Sequence, residues 1–183
     1  MKKSLAGVPG VATLVVAAWL GATWYTGKRI EDEAPARLTE VNQRLAQAFP
    51  ACGVKLEQIA FERGFFSTHA RYEVTASGKV EVPKGVVQID AVAHHGPFPL
   101  PLLESVRLVP EMAEVHAELV KTDGLKAVYD ATHGKTPFQS DTILSYGGDS
   151  RGTVDVAPAD VEFEGHKLAF GATHVQGEFA RKT

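Results

Sequence analysis

The sequence predicts an α+β protein: one N-terminal transmembrane helix, one amphipathic helix, then a curved, mostly antiparallel β-sheet with one short helix. Three observations lead there. Leu5 to Tyr25 carries no charge and lies between Lys2-Lys3 and Lys28-Arg29. Residues 30–49 repeat apolar positions at spacings of three and four. After Gly53 the apolar positions alternate, with turn residues at hairpin distances.

The uncharged run spans roughly 30 Å as a helix, the thickness of a bilayer's hydrocarbon core. Trp19, Trp24 and Tyr25 gather at its far end, where amphipathic rings prefer the headgroup level. A cleavable signal would end in small residues, whereas this stretch ends in Ala22-Thr23-Trp24-Tyr25. Residues 1–29 are therefore expected to be a cytoplasmic N-terminus and an uncleaved anchor. The opening lysines set the orientation against Lys28 and Arg29, and the β-rich body suits export. The chain from about residue 28 onward is expected outside the cytoplasmic membrane.

Residues 30–50 form the second expected unit. Ile30, Ala34, Leu38, Val41, Leu45 and Ala48 lay one apolar stripe along a helix, and Glu31, Asp32 and Glu33 occupy its first turns. Pro35 sits early in this helix and Pro50 ends it. The stripe suits either a cover for one face of a sheet or a dimerisation helix, and its shortness favours the cover.

Residues 51–183 make the β-rich domain. Val54 to Arg63 is a strand whose phase slips near Glu57-Gln58, the mark of a bulge. Arg63-Gly64-Phe65 is a turn. In the next strand Ala70, Tyr72, Val74 and Ala76 share one face and His69, Arg71, Glu73 and Thr75 the other. Ser77-Gly78 and Pro83-Lys84-Gly85 read as turns. Val86–His95 is the following strand, and Ser105–Val109 a short one. Glu111–Lys121 fits strand and helix spacings and is assigned as strand. Thr122 or Asp123 caps a short helix to about Thr132, ended by Gly134. Segments 138–146, 152–157, 160–164, 167–171 and 173–181 alternate again at hairpin spacings, so the sheet is expected to be antiparallel. The last strand runs close to Thr183. That leaves an edge to be covered, as in a truncated C-terminus, a fragment, or a protein whose partner supplies the next strand.

Composition narrows the function classes. The chain has 183 residues, a net charge of −3 and a single cysteine. There is no basic surplus to support nucleic-acid binding. Cys52 has no intrachain partner and is expected to be a small buried side chain near a helix end.

Four segments have a family likeness: Ala22-Thr23-Trp24-Tyr25-Thr26-Gly27-Lys28, Phe61-Glu62-Arg63-Gly64-Phe65-Phe66-Ser67, His95-Gly96-Pro97-Phe98-Pro99, and Tyr146-Gly147-Gly148. In that order they resemble the N-terminal part of the YdgA-like family of bacterial envelope proteins of unknown function. The resemblance implies a single inner-membrane anchor and a mostly periplasmic β-rich body. It implies no established activity and no catalytic residues. Members of the family are usually considerably longer.

No site of known chemistry is legible. His94 and His95 adjoin, but neighbours on a strand point to opposite faces and cannot share one metal without a kink. Before Gly96-Pro97, His95 is expected to pack in a sharply turned segment with its nitrogens bonded to local backbone. No G-x-S-x-G or H-E-x-x-H occurs, and Gly147-Gly148-Asp149-Ser150-Arg151-Gly152 lacks a P-loop lysine. That stretch is expected to be a hairpin turn with its glycines and Asp149 at positive φ. Glu111, Glu114 and Glu118 look like a solvated face. No metal site, cofactor or catalytic residue is assigned. Phe65, Phe66 and Phe98, beside turns, are the candidate binding residues for an apolar partner, against the alternative that they close the core.

The expectation for function is a non-enzymatic binding module whose sheet takes a lipid, another hydrophobic ligand or a protein partner. A self-associating scaffold, joined through the 30–49 helix and the last strand, is the alternative. A hydrolase using His95 with Asp90 or Glu62 is the third.

Overall fold

The structure, a computed structural model, describes residues 7–79, 81–99, 110–163 and 166–180. Its first element is a single helix, α1, Gly7–Ala48. The expected break between an anchor and a second helix is absent. Intrahelical ion pairs cross the junction: Lys28 to Asp32 at 2.8 Å and Arg29 to Glu33 at 2.8 Å. Both run in the orientation less favourable to the helix dipole. Pro35 consequently lies inside the helix, and Glu31 has no backbone donor four residues on.

The anchor itself is overturned. Among the described residues no helix is long and apolar enough to cross a membrane. The physical reason is visible from Trp19 onward. Thr23 and Thr26 are buried, and the Trp19 ring rests on Phe66 with centroids 5.5 Å apart. One face at the far end of the apolar run, that of Thr23 and Thr26, is thus buried against the protein's own sheet, while Trp24 and Tyr25 are exposed. The transmembrane helix, the single-pass inner-membrane placement and the periplasmic location that rested on it lose their support.

Nine strands follow among the described residues: β1 (Lys55–Arg63), β2 (Ser67–Ser77), β3 (Glu81–His95), β4 (Ala113–Leu119), β5 (Phe138–Leu144), β6 (Ser150–Val156), β7 (Ala159–Phe163), β8 (His166–Phe170) and β9 (Thr173–Phe179). Seven form one sheet in the order β1-β2-β3-β4-β5-β6-β9, with every neighbouring pair antiparallel. β7 and β8 pair separately as a hairpin. The strand expected at Ser105–Val109 lies outside the described residues. The segment after Pro110 is a strand, as its alternation suggested.

Local irregularities follow the sequence. The β1–β2 register shifts between Gln58 and Ala60, next to the phase slip at Glu57-Gln58. Pro83-Lys84-Gly85, expected as a turn, instead bulges within the continuous β3, where the Gly85 N–H donates to Glu73 at 2.6 Å. Proline lacks the donor that a regular ladder needs there. The short helical segment is a 3₁₀ turn, Asp123–Leu125, leading into α2, Lys126–Ala131. Thr122 does not cap it; its hydroxyl donates to the Val86 carbonyl, 2.5 Å away, and ties the segment to β3. In the β5–β6 turn only Gly148 has positive φ, so neither Gly147 nor Asp149 needs it. Cys52 is free and half-buried in the turn after α1.

Register assigns the sheet's two faces. Thr68, Ala70, Ala91, Ala93, Ala113, Val115, Thr142 and Leu144 share the face that α1 covers. The opposite face is polar, with Arg71 paired to Asp90 at 3.1 Å, His116 to Asp141 at 2.7 Å and His174 to Asp155 at 2.6 Å.

Asn42 fastens the C-terminal half of α1. Its amide donates to the Leu56 carbonyl at 2.8 Å, and the Leu56 N–H donates back to its Oδ1 at 2.7 Å. A side-chain amide thereby imitates a neighbouring strand along the outer edge of β1. Asn42→Ala removes both bonds and leaves two backbone groups part-buried, so it is expected to cost about 1–3 kcal/mol. The urea midpoint should fall while the slope stays unchanged.

Candidate functional site

Between α1 and the sheet lies a cavity of about 380 Å³. The helix contributes Ile30, Ala34, Leu38 and Val41. These belong to the stripe read from the sequence, turned toward the sheet. The floor comes from Leu56 and Phe61 of β1, Ala70 and Tyr72 of β2, and Ala91 and Ala93 of β3. Met112, Val115 and Leu144 continue it.

The space stays open because the centre of the floor is built of small residues. Ala70 pairs with Ala91, and Thr68 with Ala93, so on β2 and β3 these two adjacent rows carry at most a threonine under the helix. Side chains on the helix then cannot reach the sheet everywhere. Polar residues along it include Arg29, Glu33 and Arg37 of α1, Ser145 and Asp149 of the β5–β6 turn and Ser150 at the start of β6. Arg29 is held by Glu33 at 2.8 Å, and its guanidinium is raised further above its ordinary pKa by the hydrogen bond and charge of Glu33. Tyr72 is raised by burial and stays neutral across the physiological range.

A second feature closes the end of α1 beyond Arg29. His95, the last residue of β3, is 3 % exposed. Neither ring nitrogen makes a hydrogen bond. Burial pushes this imidazole below its ordinary pKa; the carbonyls of Thr23 and Ser67 oppose that, while Arg63 and His94 reinforce it. The expected backbone partners are thus present as the Thr23 and Ser67 carbonyls, although neither forms a hydrogen bond of regular geometry with the ring. Gly27 lies flat against the ring: a Cβ there would stand 2.5 Å from His95 Cε1. Gly96, with φ +126°, accepts Thr23 just as closely. The Thr26 hydroxyl is 3.3 Å from that of Tyr146.

The sequence candidates fall elsewhere. Phe65 and Phe66 meet edge-to-face at 4.8 Å at the β1–β2 turn, 44 % and 37 % exposed. Phe98 is half-buried after β3. None of the three lines the cavity. His95, Asp90 and Glu62 do not converge, since Asp90 is on the opposite face with Arg71 and Glu62 pairs in register with exposed His69. Glu111 is not part of a solvated face; it is buried and bound to Arg151 at 2.6 Å. Sequence reasoning missed Thr68, Arg29, Arg37, Leu56 and Phe61 as lining residues. The repeated alanines of β2 and β3, set opposite a helical stripe, were the signal for a cavity.

The four segments that carried the family likeness meet at one place. Thr23, Thr26 and Gly27 come from the first, Phe66 and Ser67 from the second, His95 and Gly96 from the third and Tyr146 from the fourth. Comparison with known proteins agrees. The family model described as "Bacterial protein of unknown function (DUF945)" matches residues 1–183. Protein YdgA of Escherichia coli K12 is 32 % identical over 98 % of this chain and 36 % of its own length. The uncharacterized protein YihF of the same strain is 28 % identical over 93 % of this chain and 35 % of its own. An uncharacterized protein of Haemophilus influenzae Rd is 26 % identical over 96 % of this chain and 47 % of its own. The chain thus spans between a third and a half of the length of these relatives. No solved structure matches. With the match running from end to end, the chain belongs to the DUF945 family of bacterial proteins of unknown function.

Proposed function

We propose that this chain is a binding module that holds a single-chain hydrophobic ligand between α1 and the inner face of the sheet, without catalysing a reaction. The observation that carries the reading is the cavity of about 380 Å³ walled by apolar helix residues over an alanine floor. Pockets for small ligands begin at about 300 Å³ and are mostly apolar with a few polar groups at the margin. About ten buried methylenes contribute about 8 kcal/mol before the ordering cost of binding. A Kd of about 1–100 μM is the expected scale.

The scaffold alternative loses its helix-based form, since Ile30, Ala34 and Leu38 line the cavity instead of an outer face. The separation of His95 from Asp90 and Glu62 speaks against the hydrolase.

N-phenyl-1-naphthylamine, an uncharged dye that fluoresces in apolar surroundings, tests the proposal. It is expected to bind the full chain with one saturable site and to be displaced by single-chain amphiphiles. Ala91→Phe places a ring in the cavity and should weaken dye binding at least about tenfold, since a filled site leaves little of the competent population. Unchanged binding in Ala91→Phe, with native circular dichroism, rules this cavity out.

A further inference from the structure

The His95 contact is built unlike an ordinary core histidine. A buried imidazole usually has a hydrogen-bond partner, because an unpaired polar group in the interior costs about 1–3 kcal/mol. Here the Thr23 and Ser67 carbonyls act on the ring without a hydrogen bond of regular geometry, while Gly27 packs closely against it. The neutral ring is accepted as an apolar plate. A protonated ring would place a full charge in the same slot with no carboxylate beside it.

In compensation the surrounding elements offer the backbone carbonyls of Thr23 and Ser67 and no carboxylate. The charged group acting on it from β1 is Arg63, which repels an imidazolium and is occupied by Glu31 of α1 at 3.1 Å. His94, next on its own strand, adds repulsion from the opposite face. α1 presents Thr23, Thr26 and Gly27, of which Thr26 faces the Tyr146 hydroxyl of the β5–β6 turn. β4 sets Ala113 opposite His95, and β2 presents Ser67 and Thr68. The other end of α1 is fixed independently by Asn42 on Leu56.

We propose that His95 is an acid-sensitive latch: its neutral ring seats α1 at Gly27, and its protonation lifts that end of the helix while the Asn42 end stays attached, opening the ligand cavity. The ligand arm of this inference rests on the proposed binding function; the latch itself does not. The direction follows from burial. A histidine held below its ordinary value of about 6.5 stabilises the seated helix fully above that pH. The contribution is lost as pH falls through the ordinary value toward the lowered one.

The two tryptophans, Trp19 and Trp24, are both in this part of α1 and report the seating directly. In the full chain, titrated from pH 7.5 to 4.5, tryptophan emission is expected to shift to the red with a midpoint below 6.5, at constant far-ultraviolet circular dichroism. N-phenyl-1-naphthylamine affinity should fall about tenfold once nine-tenths of the molecules are unlatched. His95→Gln should abolish the emission transition, and His94→Gln should keep it. No emission transition in the native chain, or an undiminished one in His95→Gln, overturns the latch. If His95→Gln does not fold, the His95 ring proton shifts in the native chain decide: titration at or above 6.5 overturns it. A transition that His95→Gln abolishes, in a protein that never binds the dye, leaves the latch standing and removes the binding function instead.

Discussion

Gly27→Val is expected to unseat the Trp19–Gly27 segment of α1 and to lower stability by about 2 kcal/mol. A Cβ at this position stands 2.5 Å from His95 Cε1 and 2.9 Å from Nε2, well inside the separation of about 3.5–4.0 Å at which such atoms attract. Neither side has room to yield. His95 is closed in on all sides, and Thr23, one turn before Gly27, and the adjoining Thr26 are buried as well. Overpacking of this kind costs about 1–3 kcal/mol. Replacing a helical glycine returns up to about 1 kcal/mol, less for a β-branched residue. Gly27→Ala is therefore expected to show a smaller net loss than Gly27→Val. Tryptophan emission and the urea midpoint measure both effects. A native emission maximum in Gly27→Val, with an unshifted midpoint, would mean that the helix does not approach His95 this closely in solution.

Arg151→Met is expected to cost about 2 kcal/mol and to loosen the segment ahead of β4. Glu111 is 3 % exposed, and Arg151 Nη2 reaches its Oε1 at 2.6 Å. The same segment is held by backbone bonds from Glu111 to Pro97, Gly96 to Met112 and Met112 to Leu144. Removing the cation strands a buried carboxylate. Breaking a buried pair in this way costs about 3–5 kcal/mol, and the estimate here is lower because the Arg151 side chain is 43 % exposed and partly screened by water. The double variant with Glu111→Gln should recover much of the loss, which a double-mutant cycle on unfolding midpoints measures. Additive losses would show that the pair contributes nothing as a pair.

The two predictions probe contacts that the sequence announced very differently. Gly27 stands in a segment of evident family likeness, yet its neighbour is 68 residues away in the chain and no local rule connects them. Glu111 shares a three-residue spacing with Glu114, which suited a common solvated surface, until Arg151 of β6 came over it. Periodicity reports which face a residue is on; it does not report what another element later places against that face. The same limit explains Phe65 and Phe66. Their position beside a turn was read correctly, but the adjoining surface is Trp19 of α1, not the cavity.

The anchor is the clearest case of a local signal answered by tertiary structure. Hydropathy treats Leu5–Tyr25 as an isolated rod in search of an apolar solvent. Thr23, Thr26 and Gly27 are small enough for a sheet to approach, and the sheet supplies that surface through His95, Gly96 and Phe66.

The sequence by itself determined the strands, the bulge near Gln58, the antiparallel pairing and the apolar stripe of α1, because these depend on side-chain period, turn chemistry and backbone donors within a few residues. Only the tertiary structure decided that two expected helices are one, that the stripe overhangs a floor with alanines at its centre without filling the space, and that His95 is enclosed without a hydrogen bond of regular geometry. Those outcomes depend on close approach between segments far apart in the chain, where a missing Cβ on one side and the size of a ring on the other set the distance.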